Sequence, residues 1–386
     1  MTTLLLAALL SAQDFKTFDD VMEAQLRQRQ SGASLAVVKD GRLVYAKGYG
    51  LGDIVNKAPV EPTSLFRIAS LSKPITAVAI FKLAQDGKLD LEAKAFALLD
   101  LKPGDESKVD PRLKDITVRH LLQHTAGWNR DKSGDPMFKA AIISTELGVP
   151  SPPNATSIIK YMLTQPLDLD PGSRFAYSNF GYCVLGRIIE QVTGQSYDTY
   201  VKKNVLEPMG IVKMTLGRSL RENREKDEVT YYAGGKPAKP VFEALKDDVP
   251  PPYGSFNLEA MDSHGGWLAS AVDLARFACS LDKVLNEKSL ETMFARPAIA
   301  EKAPFFYGCG WMIRPVGDGG KLNSWHTGGL PGTSTLLVRR QDGLVWVALF
   351  NERLRDEKLD PALHRAADTM KDWPKSDLFE KYASTK

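Results

Sequence analysis

Cysteine and histidine are scarce in this chain of 386 residues: three cysteines, Cys183, Cys279 and Cys309, and five histidines. The cysteines are odd in number and none stands in a Cys-x-x-Cys pair, so they read as small buried apolar side chains and imply no disulfide framework. No His-Glu-x-x-His, no P-loop and no Gly-x-Gly-x-x-Gly between a strand and a helix occurs. Gly-x-Ser-x-Gly is missing as well, and with it the nucleophile elbow of the common esterase fold. There is no basic run interleaved with aromatics, and the formal charge is only +3 at pH 7. Both observations argue against a nucleic-acid partner.

Long apolar runs are also lacking. Leu4 to Leu10 is too short to span a bilayer. With Ser11-Ala12-Gln13 behind it, the run resembles the end of a secretory signal cleaved after Ala12, though a positive n-region is missing. Residues 1–12 are therefore expected to be a signal remnant and the protein to be periplasmic or secreted. The composition, 43% hydrophobic and 25% charged, leaves ample material for one large globular domain or two.

What is present is organised around Phe66-Arg67-Ile68-Ala69-Ser70-Leu71-Ser72-Lys73-Pro74. After Pro74 the residues Ile75, Val78, Ile80, Phe81, Leu83 and Ala84 keep a helical spacing, and Gly87 stands where such a helix stops. Proline is tolerated only near a helix start, which puts the start at or just after Ser70. A serine hydroxyl then lies at the positive end of a helix with Lys73 one turn further on the same face. Serine needs a base to become a nucleophile, and a lysine whose neutral form is accessible can supply it. Ser-x-x-Lys recurs at residues 157–160 and 280–283, so the tetrapeptide does not single out Ser70 by itself.

The rest of the chain predicts an α+β layout. A helix is expected from Asp14 to Gln30, then strands Ser34–Val38 and Leu43–Gly48 joined by a tight turn at Asp40-Gly41. Helices are expected at Val118–His124, Ala155–Leu163, Gly181–Thr193 and Tyr197–Val205, separated by Pro- and Gly-rich loops. A helix capped by Ser270 follows. Strands return at Tyr307–Ile313, Thr333–Arg339 and Val345–Phe350, and a last helix covers Pro361–Met370. Residues 13–85 with 286–386 are expected to form an α/β lobe sharing one antiparallel sheet. Residues 86–285 are expected to form a mostly helical lobe, with a cleft between the two as the natural place for a site.

Two further constellations carry chemistry. Tyr177-Ser178-Asn179 offers a phenol that can relay a proton and an amide that can orient a lysine or donate to a carbonyl. Ser324-Trp325-His326-Thr327-Gly328-Gly329 places two glycines at a strand edge, where an acyl chain can align and an N–H can complete an oxyanion hole.

Together, Ser70-x-x-Lys73, Tyr177-x-Asn179 and His326-Thr327-Gly328 resemble the pattern of the serine β-lactamase and penicillin-binding superfamily. Phe66-Arg67-Ile68-Ala69-Ser70, His120-Leu121-Leu122-Gln123-His124-Thr125-Ala126-Gly127, Gly265-Gly266-Trp267 and Tyr307-Gly308-Cys309-Gly310-Trp311 are similar to its class C branch, with family VIII carboxylesterases and D-Ala-D-Ala carboxypeptidases. The resemblance covers roughly residues 20–370. It implies a β-lactamase/transpeptidase-like fold with no metal or organic cofactor. It implies Ser70 as the acylated nucleophile, Lys73 as its base, Tyr177 as the proton relay and Asn179 as a substrate contact that also orients Lys73. The N–H groups of Ser70 and Gly329 would form the oxyanion hole, and His326, Thr327, Gly328 and Gly329 would line the substrate edge. His120 and His124 belong to a structural phrase of the family. One departure stands out: class C β-lactamases usually carry lysine where this chain has His326, and histidine is mostly neutral at pH 7. The expectation is therefore a carboxylesterase acting through an acyl-enzyme on a small-molecule substrate. A D-Ala-D-Ala carboxypeptidase or β-lactamase is the enzymatic alternative, and a non-catalytic scaffold the alternative of another class.

Overall fold

The computed structural model describes residues 15–27, 29–317, 319–354 and 358–382; the expected signal remnant at 1–12 lies outside them. The chain opens with α1 (Lys16–Leu26) and the hairpin β1 (Gly32–Lys39) and β2 (Arg42–Asp53). Asp40 and Gly41 turn it with φ of 49° and 78°, the left-handed pair that matches strand twist. Short strands β3 (Ala58–Pro59) and β4 (Phe66–Arg67) lead into α2 (Ser72–Gln85). A long series of helices and loops follows, including α3 (Asn179–Thr193), β5 (Thr215–Leu216) and β6 (Trp267–Ala269). The chain closes with α4 (Ala271–Cys279), α5 (Glu287–Phe294), five strands and α6 (Leu359–Thr369). Those strands are β7 (Phe306–Tyr307), β8 (Met312–Val316), β9 (Lys321–Leu330), β10 (Thr333–Arg339) and β11 (Leu344–Phe350).

The two ends of the chain share one antiparallel sheet of order β3-β2-β1-β11-β10-β9-β8-β7. β1 pairs with β11 from Ala33 opposite Phe350 to Lys39 opposite Leu344. β11 is apolar at every position because both faces of the sheet are covered. Its Trp346, Ala348 and Phe350 join Phe18, Met22 and Leu363 from α1 and α6, while Val345, Val347 and Leu349 face the large core that holds α2 and α4. Strand periodicity thus sends alternate residues into two different cores. Among the described residues no helix is long and apolar enough to cross a membrane.

Helix α2 is the axis of the larger core. Eleven of its side chains, from Ser72 to Leu83, are buried, so it is enclosed all round and not amphipathic. Lys73 is one of the eleven. The expected strand at Tyr307–Ile313 is in fact two strands. Gly310, at φ 85°, breaks it, and a Cβ there would lie 2.6 Å from that of Ala77 and 3.3 Å from the Lys73 carbonyl. Glycine lets the β7–β8 turn pack directly on α2 beside Lys73.

Candidate active site

Ser70 sits in a single 3-10 turn, Ala69–Leu71, between β4 and α2. Ala69 has a φ of 49°, which costs a residue with a Cβ about 1–2 kcal/mol. Neighbours hold the strained turn from several sides. The Ile68 N–H donates to the Trp267 carbonyl at 3.0 Å. From β10, Thr333 Oγ1 donates to the Arg67 carbonyl at 3.1 Å and Thr335 Oγ1 to that of Ile68 at 3.0 Å. Arg67 is buried, with its guanidinium 4.5 Å from the Tyr231 ring centre and donating to the carbonyls of Pro252 and Arg218 at 2.5 and 2.7 Å. Glu228 supplies its counter-charge, Oε1 lying 3.5 Å from Nε.

The Lys73 amine is fully buried. It donates to Asn179 Oδ1 at 2.7 Å and to the His264 carbonyl at 3.0 Å, and it lies 3.1 Å from Ser70 Oγ. The first two partners are carbonyl oxygens, which only accept. A neutral amine has two N–H groups and one lone pair. As the ammonium, Nζ donates to all three oxygens; as the neutral amine, with both N–H groups on the carbonyls, it turns its lone pair to the Ser70 hydroxyl. Burial disfavours the ammonium form and pushes the Lys73 pKa well below its ordinary value; the Asp135 carboxylate opposes this and the Arg130 guanidinium reinforces it.

Tyr177 and Asn179 reach this point from the start of α3. Ser178 caps the helix, its Oγ accepting from the Gly181 N–H at 3.2 Å. The cap fixes Asn179 in the first turn, where its Nδ2 donates to Asp135 Oδ2 at 2.6 Å while its Oδ1 serves Lys73. The Tyr177 ring centre is 4.8 Å from Lys73 Nζ and 4.6 Å from Arg130 Cζ. Burial raises the phenol pKa above its ordinary value, against the influence of the Ser70 hydroxyl and of Arg130, so the phenol is protonated at neutral pH. His124 backs Tyr177. Their ring centres are 4.3 Å apart, and His124 Nδ1 accepts from the Ser178 N–H at 3.1 Å.

The third segment is β9. Its ladder with β10 runs from Ser324 to Leu330, but its ladder with β8 ends at Trp325. The edge from His326 to Leu330 is therefore without a strand partner among the described residues. Gly328 abuts the Ser70 turn: a Cβ on it would lie 2.6 Å from the Ile68 carbonyl oxygen and 3.1 Å from Ala69 Cβ. His326 is buried and Thr327 exposed, on opposite faces of the strand. Gly329 shares the Thr327 face, where the end of the Arg353 side chain lies over it. Both ring nitrogens of His326 are engaged. Nδ1 faces the Thr327 carbonyl at 2.7 Å, which only accepts, so Nδ1 carries the proton. Nε2 then accepts from the Tyr307 hydroxyl at 3.0 Å. Burial, with the nearby Lys73 adding to it, pushes the imidazole pKa down to about 3, so His326 is neutral across the physiological range.

The structure thus brings Ser70, Lys73, Tyr177, Asn179, His326 and Gly328 to one place. The sequence reading missed Asp135, Arg130, Tyr307 and the His264 carbonyl. A lone acid or arginine in a Gly- and Pro-rich loop has no distinguishing spacing, and a backbone carbonyl leaves no mark in a sequence at all.

An antiparallel sheet carrying helices on both faces, with Ser-x-x-Lys entering its central helix, is the β-lactamase/transpeptidase fold. The Beta-lactamase family model matches residues 16–370, and the chain belongs to that family of serine acyl-enzyme hydrolases. Penicillin-binding protein 4* of Bacillus subtilis is 27% identical over 359 residues, covering 92% of this chain and 75% of that protein. Protein flp of Staphylococcus aureus is 31% identical over 240 residues; the match covers 61% of this chain and 45% of flp, less than half its length. Among solved structures, D-amino acid amidase from Ochrobactrum anthropi SV3 superposes with a TM-score of 0.71 at 22% identity, covering 92% of this chain and 98% of that one.

Proposed function

We propose that this protein is a serine hydrolase whose substrates are carboxylic esters, turned over through an acyl-enzyme on Ser70. The observation that carries the reading is the arrangement around Lys73, whose Nζ lies 3.1 Å from Ser70 Oγ while two carbonyl oxygens occupy its other positions; in the neutral amine this leaves the lone pair for the Ser70 hydroxyl. Lys73 takes the serine proton as Oγ attacks, the bond from Oγ to the acyl carbon forms, and the bond to the alcohol oxygen breaks. Tyr177, against both Lys73 and Ser70, delivers the proton to the departing oxygen. Water then attacks the acyl carbon by the reverse route and Ser70 recovers its proton. The N–H groups of Ser70 and Gly329 hold the developing oxyanion. Asn179 orients Lys73, and the open β9 edge at Thr327, Gly328 and Gly329 aligns the acyl chain, with His326 behind it.

His326 supports the ester preference. A neutral imidazole with both nitrogens occupied puts no cation at its own position, leaving Arg353 over Gly329 and Arg130 beside Tyr177 as nearby cations, and alcohols leave more readily than amines. The second reading, a D-Ala-D-Ala carboxypeptidase or β-lactamase, is favoured by the penicillin-binding relative. A non-catalytic scaffold would have no use for a buried amine aimed at a hydroxyl. A periplasmic or secreted location fits the signal-like Leu4–Ala12 segment.

Intact-mass spectrometry after incubation with p-nitrophenyl butanoate, a D-Ala-D-Ala peptide and a cephalosporin is the decisive test. The expected result is a butanoyl adduct that disappears in Ser70→Ala, with no lasting adduct from the peptide. An adduct on the Ser70→Ala protein removes Ser70 as nucleophile, and rapid cephalosporin turnover with poor ester turnover reverses the substrate order. The pH profile of ester kcat/KM gives an independent check. Activity rises with pH through the Lys73 pKa, because only the neutral amine is a base. Arg130→Leu removes a like charge, raises that pKa and moves the limb to higher pH; Asp135→Asn removes an opposite charge and moves it lower. Shifts in the same direction, or a limb that vanishes in His326→Gln, would assign the titration elsewhere.

A further inference from the structure

Tyr307 lines a pocket of about 320 Å³ with Phe175, Ile299, Phe305 and Met312 in its wall and Ser173 and Arg174 among its polar groups. Seven large apolar side chains are exposed among the described residues, and three of them, Phe175, Ile299 and Phe305, converge here. Apolar side chains clustered in water mark a binding surface, and the volume lies at the small end of ligand pockets. A second hollow of about 760 Å³ lies between α5 and β8. It is larger, but it holds no site residue, whereas the smaller pocket has Tyr307 in its wall.

The smaller pocket is tied to the reacting groups through its own walls. Tyr307 donates to His326 Nε2, and its ring centre is 6.3 Å from that of Tyr177 and 5.9 Å from that of Phe175. Phe175 precedes Tyr177 by two residues and packs on His124, which in turn backs Tyr177. In the proposed reaction the oxyanion is held at the Gly329 end of β9, and the departing oxygen must face the Tyr177 phenol that protonates it. A group attached to that oxygen and directed away from Gly329 would meet Tyr307, the pocket wall whose ring centre is 6.3 Å from that of Tyr177.

We propose that this pocket receives the leaving group, and that the preferred substrates are esters of apolar alcohols of about benzyl size. The inference rests on the acyl-enzyme reading above. The alcohol, released as its oxygen takes the proton from Tyr177, would occupy the pocket until it diffuses out.

The test compares methyl with benzyl butanoate, which differ only in the alcohol, and benzyl acetate with benzyl hexanoate, which differ only in the acid. Filling the pocket with Ile299→Trp is expected to lower the benzyl-to-methyl ratio of kcat/KM about tenfold or more, with the hexanoate-to-acetate ratio unmoved. An unchanged benzyl-to-methyl ratio overturns the assignment, as does an effect confined to the acid series. Benzyl alcohol binding to the Ser70→Ala protein, followed by saturation-transfer NMR, is expected and should be lost when Ile299→Trp is added. Absence of binding, or binding that survives Ile299→Trp, counts against the pocket whatever the activity. Failure of any ester to label Ser70 counts against the underlying reading, and benzyl alcohol binding still reports on the pocket alone.

Discussion

Replacing Lys73 by methionine is expected to lower ester kcat/KM by about 10³-fold or more while the protein still folds. The position is fully enclosed, and methionine is unbranched, apolar and adaptable enough to follow the path of the lysine stem. Two effects on stability oppose each other. The Asn179 and His264 carbonyls lose their donor, about 1–3 kcal/mol for each group left unsatisfied. Against this, the native state no longer holds an amine whose charged form burial disfavours. That relief has a definite pH dependence. With the folded pKa depressed, the unfolded chain binds the extra proton, so wild-type stability rises with pH up to the ordinary lysine range; the methionine variant lacks that rise. Lys73→Arg separates the base from the strut. A guanidinium can donate to both carbonyls but does not deprotonate in proteins, so it should leave activity as low as methionine does. Circular dichroism and kcat/KM on both variants decide the matter, and Lys73→Arg with activity within tenfold of wild type would end the case for a lysine base.

That pair was legible in the sequence because it is local: Ser70 and Lys73 stand three residues apart, at the entry to a helix whose start Pro74 marks. The convergence of Tyr177 and Asn179 on it, 106 residues away for the Lys73–Asn179 bond, was not derivable from spacing. It entered only because three weak motifs occur together in a family order. The central strands of the sheet were legible for a different reason. β1, β10 and β11 lie in the interior of the sheet, so their aliphatic content is unmistakable. β9 was not visible as a ten-residue strand. Asn323, Gly328 and Gly329 depress strand propensity, and the pairing with β10 overrides it. Helix α5 was missed as well, since only Met293 of its eight residues is buried and an exposed helix leaves little apolar pattern. The Arg67–Glu228 pair was hidden because charged residues read as surface until their partners are known.

Gly328→Ala is expected to destabilise the protein by about 1–3 kcal/mol and to lower kcat/KM by about 10²-fold. The reason is steric and specific to this residue. The added methyl would press on Thr335 Oγ1 and lie 2.6 Å from the Ile68 carbonyl oxygen and 3.1 Å from Ala69 Cβ. None of these yields easily. Thr335 and Ile68 are bonded to each other, Ile68 is anchored again through its N–H to Trp267, and Ala69 is already in a strained conformation. Relief therefore requires β9 to move away from the Ser70 turn, widening the gap between the nucleophile and the N–H of Gly329 that the proposed oxyanion hole needs to be narrow. Gly329→Ala provides the contrast in stability. The nearest atoms to its methyl are those at the end of the exposed Arg353 side chain, which can swing aside at little cost. Urea denaturation of the two variants should rank Gly328→Ala clearly below Gly329→Ala. The reverse order would mean that the strand edge and the serine turn do not bear on each other, and the shared geometry of nucleophile and oxyanion donors would lose its physical basis.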